Sequence, residues 1–487
     1  MNGKWKNSGL VGIGVVAGLL LGLNFSAVAQ REARYPLPLP EIRSLTEVFG
    51  KIKEDYVDPV DDKKLLTGAV RGMLSDLDPH SAYLDPEENR EFETSIRGEF
   101  GGLGIEVGTE DGFVKVVSPI EDTPAARAGI KANDLIIKID DKSTKGITLN
   151  DAVKQMRGKP KTPIKLTIAR KGEVKPIEVT LMREVIKVQS VKAKLVENGY
   201  AWLRITQFQE RTAEDTAKAL EKMFKENGGK LNGIVLDLRN NPGGLLHAAI
   251  GVSAAFLPHG QLVVSSNGRL PDTKHEYLAT PEEYTMRRED ILKGVPPAAR
   301  TVPMVVLVND GSASASEIVA GAMQDTHRGI IMGQTTFGKG SVQTKVNLSN
   351  GAGMKLTTAR YYTPSGRSIQ AKGITPDWMV AETENGGFRA ARMREADLAG
   401  HLSNDKDPNA EKELPPVPIT SGEKKDDGKA DDAKKDTPPK RIEFGSKDDF
   451  QFAQALNLLK GQPVKGEHIA DPIGGAPTTA AADAAKK

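Results

Sequence analysis

The chain of 487 residues contains no cysteine. That excludes disulfides, a thiolate nucleophile and any Cys-based zinc site. A chain of this length can do without disulfides even outside the cell, because it is long enough to bury real cores. Histidine is scarce as well. The seven histidines are scattered and show no HExxH or similar spacing, so nothing points to a metal or another cofactor. An excess of either sign of charge is nearly absent: 67 basic and 65 acidic residues leave +2, which gives no reason to expect a nucleic-acid partner. The phosphate-binding pattern GxxxxGK[ST] is missing too. Gly333 stands five residues before Gly338, but Lys339 is followed by Gly340.

The apolar run from Leu10 to about Phe25 is shorter than the roughly 20 residues that span a bilayer comfortably. Lys4 and Lys6 precede it, and the small residues Ala27-Val28-Ala29 follow. Residues 1–29 therefore read as an export signal cut after Ala29, with an uncleaved membrane anchor as the alternative.

Length suggests two to four domains, and the hydropathy pattern divides the rest of the chain. After a short Pro-rich linker from Tyr35 to Pro40, residues 36–96 carry helical stripes, first Ile42, Leu45, Val48, Phe49 and Ile52, then Leu65, Ala69, Val70 and Met73-Leu74. Asp78-Pro79-His80-Ser81 ends the second stripe with turn chemistry. Residues 97–184 change to short alternating strands and Gly-rich turns, such as Ile164-Leu166-Ile168, with one short helix around Ala152, Val153 and Met156. From 185 to 390 strands and helices alternate, which argues for an α/β layer with parallel strands. Residues 403–445 are rich in Lys, Asp and Pro and are expected to be a disordered linker. Residues 446–461 form a short helix with Phe452, Ala455, Leu456 and Leu459 on one face, docked on the body or on a second subunit, and 462–487 read as a disordered tail.

Three turns carry candidate chemistry. Asn309-Asp310-Gly311-Ser312-Ala313-Ser314-Ala315-Ser316-Glu317 joins a buried strand to a helix. The unpaired N–H groups of a helix start can stabilise an alkoxide and an oxyanion, but the same serines, with Glu317 after them, also fit a plain helix cap. Phe337-Gly338-Lys339-Gly340-Ser341-Val342-Gln343 sets one lysine between two glycines. In an extended segment Lys339 and Gln343 would share a face. A desolvated lysine can accept a proton from a serine, with Gln343 orienting the amine. The alternative is a glycine-flanked surface lysine. Asp237-Leu238-Arg239-Asn240-Asn241-Pro242-Gly243-Gly244 ends a buried strand in a turn with two free glycine amides, either part of an oxyanion hole or an ordinary turn.

The words DLRNNPGG, NDGSASASEIVAGAMQD, TFGKGSVQ and YYTPSGRSIQAKGITPD together resemble the carboxyl-terminal processing peptidases, or tail-specific proteases, of peptidase family S41. The resemblance runs from about Ile42 to Val380 and resumes at KDDFQFAQALNLLKG. It implies a multidomain α/β fold: an α/β protease core with a mixed or parallel sheet, an inserted PDZ-like β domain and an N-terminal helical region. It places the nucleophile on Ser314, the general base on Lys339, the orienting residue on Gln343, and the oxyanion amides on Gly243 or Gly244 and on Ala315. Its acidic position falls on Asp325, about 16 Å along a helix axis from Ser314, which favours a structural role there. Phe100-Gly101-Gly102-Leu103-Gly104-Ile105 looks like a PDZ carboxylate loop, whose Leu103, Gly104 and Ile105 amides would hold a chain-end carboxylate while the peptide adds a strand. Ala371 stands where many relatives have glycine. The resemblance further implies a serine endopeptidase acting near protein C-termini in the periplasm, protein substrates with exposed C-termini, an adaptor in some members, and a homodimer or higher oligomer. Two other readings stay open: a Ser–His–Asp peptidase using His247 or His327, and a non-enzymatic periplasmic PDZ scaffold.

Overall fold

A computed structural model describes residues 37–469 apart from 121, 198, 286–288, 385, 387–392, 408 and 410–442. The expected signal at 1–29, most of the expected linker and the tail beyond 469 lie outside the described residues. The chain divides into two compact units, one up to Met73 and one from Leu74 onward.

The first unit holds helix α1 (Leu39–Asp55) and most of α2 (Asp62–Ser75). Leu39 and Pro40, expected in the linker, instead open α1, where proline's fixed φ and missing N–H suit the first turn. No residue of α1 is buried.

The second unit begins with strand β1 (Ala82–Leu84) and helix α3 (Pro86–Arg97), which Asp85 caps by accepting from the Glu87 and Glu88 amides. The β domain follows: β2 (Glu99–Gly102), β3 (Ile105–Glu110), β4 (Phe113–Pro119), α4 (Pro124–Arg127), β5 (Leu135–Ile139), β6 (Lys142–Ser143), α5 (Leu149–Met156), β7 (Pro163–Ala169), β8 (Ile177–Met182) and β9 (Glu184–Lys187). Its main sheet runs β3-β4-β5-β7-β8, all antiparallel, and β2 pairs with β9 where the chain enters and leaves. Val114, Val116, Ile136, Ile164, Leu166 and Ile168 form a core of its own.

The larger domain contains β10 (Val191–Leu195), β11 (Tyr200–Ile205), α6 (Thr212–Glu226), β12 (Gly233–Asp237), α7 (Leu246–Phe256), β13 (Leu262–Gly268), β14 (His275–Leu278), α8 (Pro281–Tyr284), β15 (Met304–Val308), α9 (Ala315–Asp325), β16 (Ile330–Gly333), β17 (Ser341–Asn347), β18 (Gly353–Tyr362), β19 (Trp378–Met379), α10 (Phe450–Leu459) and β20 (Glu467–His468). The sheet β10-β11-β12-β15-β16-β19-β20 is parallel from β11 to β19 and antiparallel at both edges. All of β12 and β15 is buried because both faces are covered. Ile234, Leu236, Val306 and Val308 join the core with α6, α7 and α9, while Val235, Val305 and Leu307 meet Phe452, Ala455 and Leu456 of α10. A second, antiparallel sheet runs β1-β18-β13-β14, with β17 also on β18.

Both ends of the expected disorder contract. Residues 403–407 lie on the body, where buried Asn404 donates to the Gln370 carbonyl at 2.6 Å and Asp405 accepts from Tyr362. Phe444 stacks beside Arg204 and Arg239. The tail, expected from 462, pairs β20 with β19 before it leaves the described residues. One aromatic and a few short polar side chains anchor segments that composition alone assigns to solvent.

Candidate active site

The three candidate turns leave the carboxyl ends of three neighbouring parallel strands, β12, β15 and β16. In open α/β sheets that edge is where ligands bind. Side chains tie the turns together. Asn240 N–H donates to Asn309 Oδ1, and Asn309 Nδ2 returns a bond to Asn240 Oδ1, both at 2.8 Å. The Asn241 carbonyl accepts from Ala313 N–H and from Ser316 Oγ, and Ser312 Oγ donates to the Leu238 carbonyl.

Ser314 precedes α9 at φ +55° and ψ −113°, a region non-glycine residues rarely adopt. Such strain costs on the order of 1–3 kcal/mol and persists only where the surroundings impose it. Here Glu317, fully buried in the first turn of α9, imposes it. Glu317 Oε2 accepts from Ser314 N–H at 2.7 Å and from Lys339 N–H at 2.9 Å. Its Oε1 accepts from Thr336 Oγ1 and Gly338 N–H. One oxygen therefore joins the serine turn to the lysine loop, holding the two nitrogens no further apart than the sum of those distances. Burial pushes the Glu317 carboxyl up to about 7 against these four donors.

Lys339 Nζ donates to Gln343 Oε1 at 2.5 Å. The expected alternation does not produce this contact, since residues 339 and 340 lie in a loop and a β-bulge falls between Val342 and Gln343. Burial pushes the Lys339 amine down to about 8. The nearby charge of Lys355 adds to this, and Glu395, Glu317 and Asp78 oppose it. Among the described residues no hydrogen bond joins Ser314 Oγ to Lys339 Nζ, and none joins Ser314 to His247 or His327. His327 lies beyond the far end of α9.

Gly243 sits against the serine turn. A Cβ there would stand 2.9 Å from Ser314 Cβ and 3.0 Å from Ala315 N, so only glycine fits. The two glycine amides are not both free, because Gly243 N–H donates to Asn241 Oδ1 at 3.0 Å. Gly244 N–H and Ala315 N–H have no acceptor among the described residues. Asp325 ends the unbroken helix α9, ion-paired with Arg367 and accepting from Ser365 N–H, so the fold does not bring it to Ser314. Behind the glycine turn, buried Arg239 donates to both Asp237 and Asp449 and so links the turn to α10.

In the β domain, Gly104 at φ +77° would place a Cβ 2.3 Å from Thr123. The Leu103 and Gly104 carbonyls turn inward to accept from Ala125 and Ile120, and the two amides have no acceptor among the described residues. Ile105 opens β3.

Sequence reasoning read Glu317 as a cap and missed its second attachment. The one available signal was a glutamate at a position that β15 and α9 were bound to bury. No cluster of three or more metal-ligating side chains occurs among the described residues.

Residues 199–380 match peptidase family S41, 101–181 match the PDZ domain, and 24–88 match the activating protease CtpB N-terminal domain. The carboxy-terminal-processing protease of Bartonella bacilliformis is 42% identical over 429 residues, covering 88% of this chain and 90% of that protein. The chain belongs to the S41 carboxy-terminal processing proteases. It is a serine protease with a PDZ domain, which removes the scaffold reading. Carboxy-terminal processing protease CtpA of Bacillus subtilis is 39% identical over 333 residues, covering 68% of this chain and 67% of that protein. A solved photosystem II D1 C-terminal processing protease aligns at 28% identity with a TM-score of 0.38, covering 69% of this chain and 86% of that one.

Proposed function

We propose that the S41 chemistry runs through a Ser314–Lys339 pair. The observation that carries this reading is the shared Glu317 oxygen, which sets a strained serine turn against a loop bearing a desolvated amine. A neutral Lys339 amine donates one N–H to Gln343 Oε1 and keeps its lone pair for the Ser314 hydroxyl proton. Ser314 Oγ then attacks the scissile carbonyl. Gly244 and Ala315 amides, on a turn shaped by Gly243, hold the oxyanion at the start of α9. Lys339 returns the proton to the leaving amine, and a water activated by the same amine hydrolyses the acyl-enzyme. Asp325 serves the helix end.

Substrate choice rests with the PDZ loop. The outward amides of Leu103, Gly104 and Ile105 suit a terminal carboxylate, and β3 offers an edge for strand addition. The substrates are then proteins with exposed C-termini, cut upstream of the captured end. The domain bounds are those read from the sequence, with the core extended by 403–407 and 443–469. The first residues serve as an export signal to the periplasm. The exposed Ile42, Leu45 and Val48 of α1 suit a second copy of this chain.

The test is cleavage of an unfolded protein by purified wild type, Ser314→Ala and Lys339→Ala, with folding checked by thermal unfolding. Both variants should fold and lose activity by at least 10²-fold. A folded Lys339→Ala variant with wild-type turnover would refute the pair. Loss on replacing His247 and His327 instead would favour the histidine triad.

A further inference from the structure

The turn Asp78-Pro79-His80-Ser81 lies far from the catalytic words in sequence, yet Asp78 is buried at 4% exposure. Its Oδ1 accepts from His80 N–H at 2.8 Å, Ser81 N–H at 2.9 Å and Thr357 Oγ1 at 3.0 Å, and its Oδ2 accepts from Ser81 Oγ at 2.7 Å. Three of these bonds belong to the turn itself. The bond from Thr357 does not. Thr357 lies on β18 directly across from Gln343 on β17, and its Oγ1 accepts from Gln343 Nε2 at 3.2 Å.

A hydroxyl has a single proton, and a carboxylate can only accept. The Thr357 proton therefore points at Asp78, and only lone pairs face Gln343. That forces the NH₂ end of the Gln343 amide toward Thr357 and the oxygen end toward Lys339 Nζ. Ser341 Oγ, 2.9 Å from Gln343 Nε2, can donate or accept and does not discriminate. Without Asp78 the Thr357 proton could serve a flipped amide. Its NH₂ would then donate to the amine lone pair that Ser314 needs.

We infer that Asp78 is a positioning residue for the general base, acting through Thr357 to hold the Gln343 amide with its oxygen toward Lys339. The inference rests on the Ser314–Lys339 reading. Besides Asp78, the charged groups acting on Lys339 are Glu395, Glu317 and Lys355. Glu395 is itself held by His80 Nε2 at 2.7 Å, so the same turn touches the lysine's surroundings twice.

The experiment measures kcat, KM and the pH profile of peptide cleavage for Thr357→Val, Thr357→Ser, Asp78→Ala and Asp78→Asn, with Lys339→Ala alongside. Thr357→Val is nearly isosteric on a strand and keeps the carboxylate, so it carries the test even if Asp78→Ala does not fold. It should keep its thermal midpoint and KM and lose about tenfold in kcat, the worth of one hydrogen bond. Thr357→Ser, which keeps the hydroxyl, should restore turnover. Asp78→Asn keeps an acceptor for Thr357 but loses the charge, so its activity limb should move to lower pH, while that of Thr357→Val should not move down. Wild-type kcat in Thr357→Val, or a loss that Thr357→Ser does not repair, overturns the inference. An active Lys339→Ala variant would instead overturn the reading on which it rests.

Discussion

Glu317 offers the most detailed prediction. Its two oxygens serve four donors, and the substitutions Gln and Ala separate what each does. In Glu317→Gln one oxygen becomes NH₂. With NH₂ at the Oε2 place, the Ser314 and Lys339 amides would both lose their acceptor. With NH₂ at the Oε1 place, Thr336 Oγ1 can turn to accept, and only Gly338 N–H is orphaned. The second arrangement wins, because one buried unsatisfied amide costs about 1–3 kcal/mol and two cost twice that. Glu317→Gln should therefore keep the serine turn joined to the lysine loop, lose about 1–3 kcal/mol of stability and retain kcat within about tenfold. Glu317→Ala takes the acceptor from all four donors and should lower kcat by roughly 10²-fold or more. A pH signature accompanies this. The folded carboxyl sits near 7 against 4.5 unfolded, so the folded state binds the extra proton in that window. Protonation of Glu317 should contribute about 3 kcal/mol of stability that is lost as pH rises from about 4.5 to 7, and this contribution, read as the difference between wild type and variant, should be absent in Glu317→Gln. Urea unfolding at pH 4 and pH 8, with peptide kinetics on the same preparations, gives both numbers. Wild-type kcat in a folded Glu317→Ala variant would refute the reasoning.

Two further substitutions probe the frame behind the site. Asp449→Ala leaves Arg239 buried beside Asp237 without its second partner and should cost about 3–5 kcal/mol, read by denaturant unfolding. Ala371, at φ +61°, occupies left-handed backbone against the lysine loop, where its N–H donates to the Gly338 carbonyl. Ala371→Gly should relieve about 1 kcal/mol of strain and raise the melting temperature without changing KM.

How much of this was legible in the sequence follows from contact range. The strand–turn–helix words around Gly243, Ser314 and Lys339 could each be placed on a turn, because local chemistry marks turns. The parallel order β12-β15-β16 that lays them side by side follows from buried apolar runs alternating with helices. Partners distant in sequence were not legible. Asp78 meets Thr357, Arg239 meets Asp449, and Glu317 meets Lys339 across turns whose approach depends on the finished sheet. Low-complexity composition also misled at 403–407 and 443–445, where Asn404 and Phe444 find specific partners among otherwise solvated neighbours. The free pair of glycine amides failed for a similar reason, since Asn241 two residues earlier folds back on Gly243.

Catalysis by the Ser314–Lys339 pair depends most on an amine that sheds its proton near pH 8, well below the ordinary lysine range, so that a reactive fraction is neutral at neutral pH. Observing the Lys339 Nζ resonance by ¹⁵N-edited NMR, with Lys339→Met to assign it, measures that state directly. A titration midpoint near 8, coinciding with the rise of kcat with pH, is the expected result. A midpoint near the ordinary lysine value of 10.5, with turnover already full at pH 7, would contradict it.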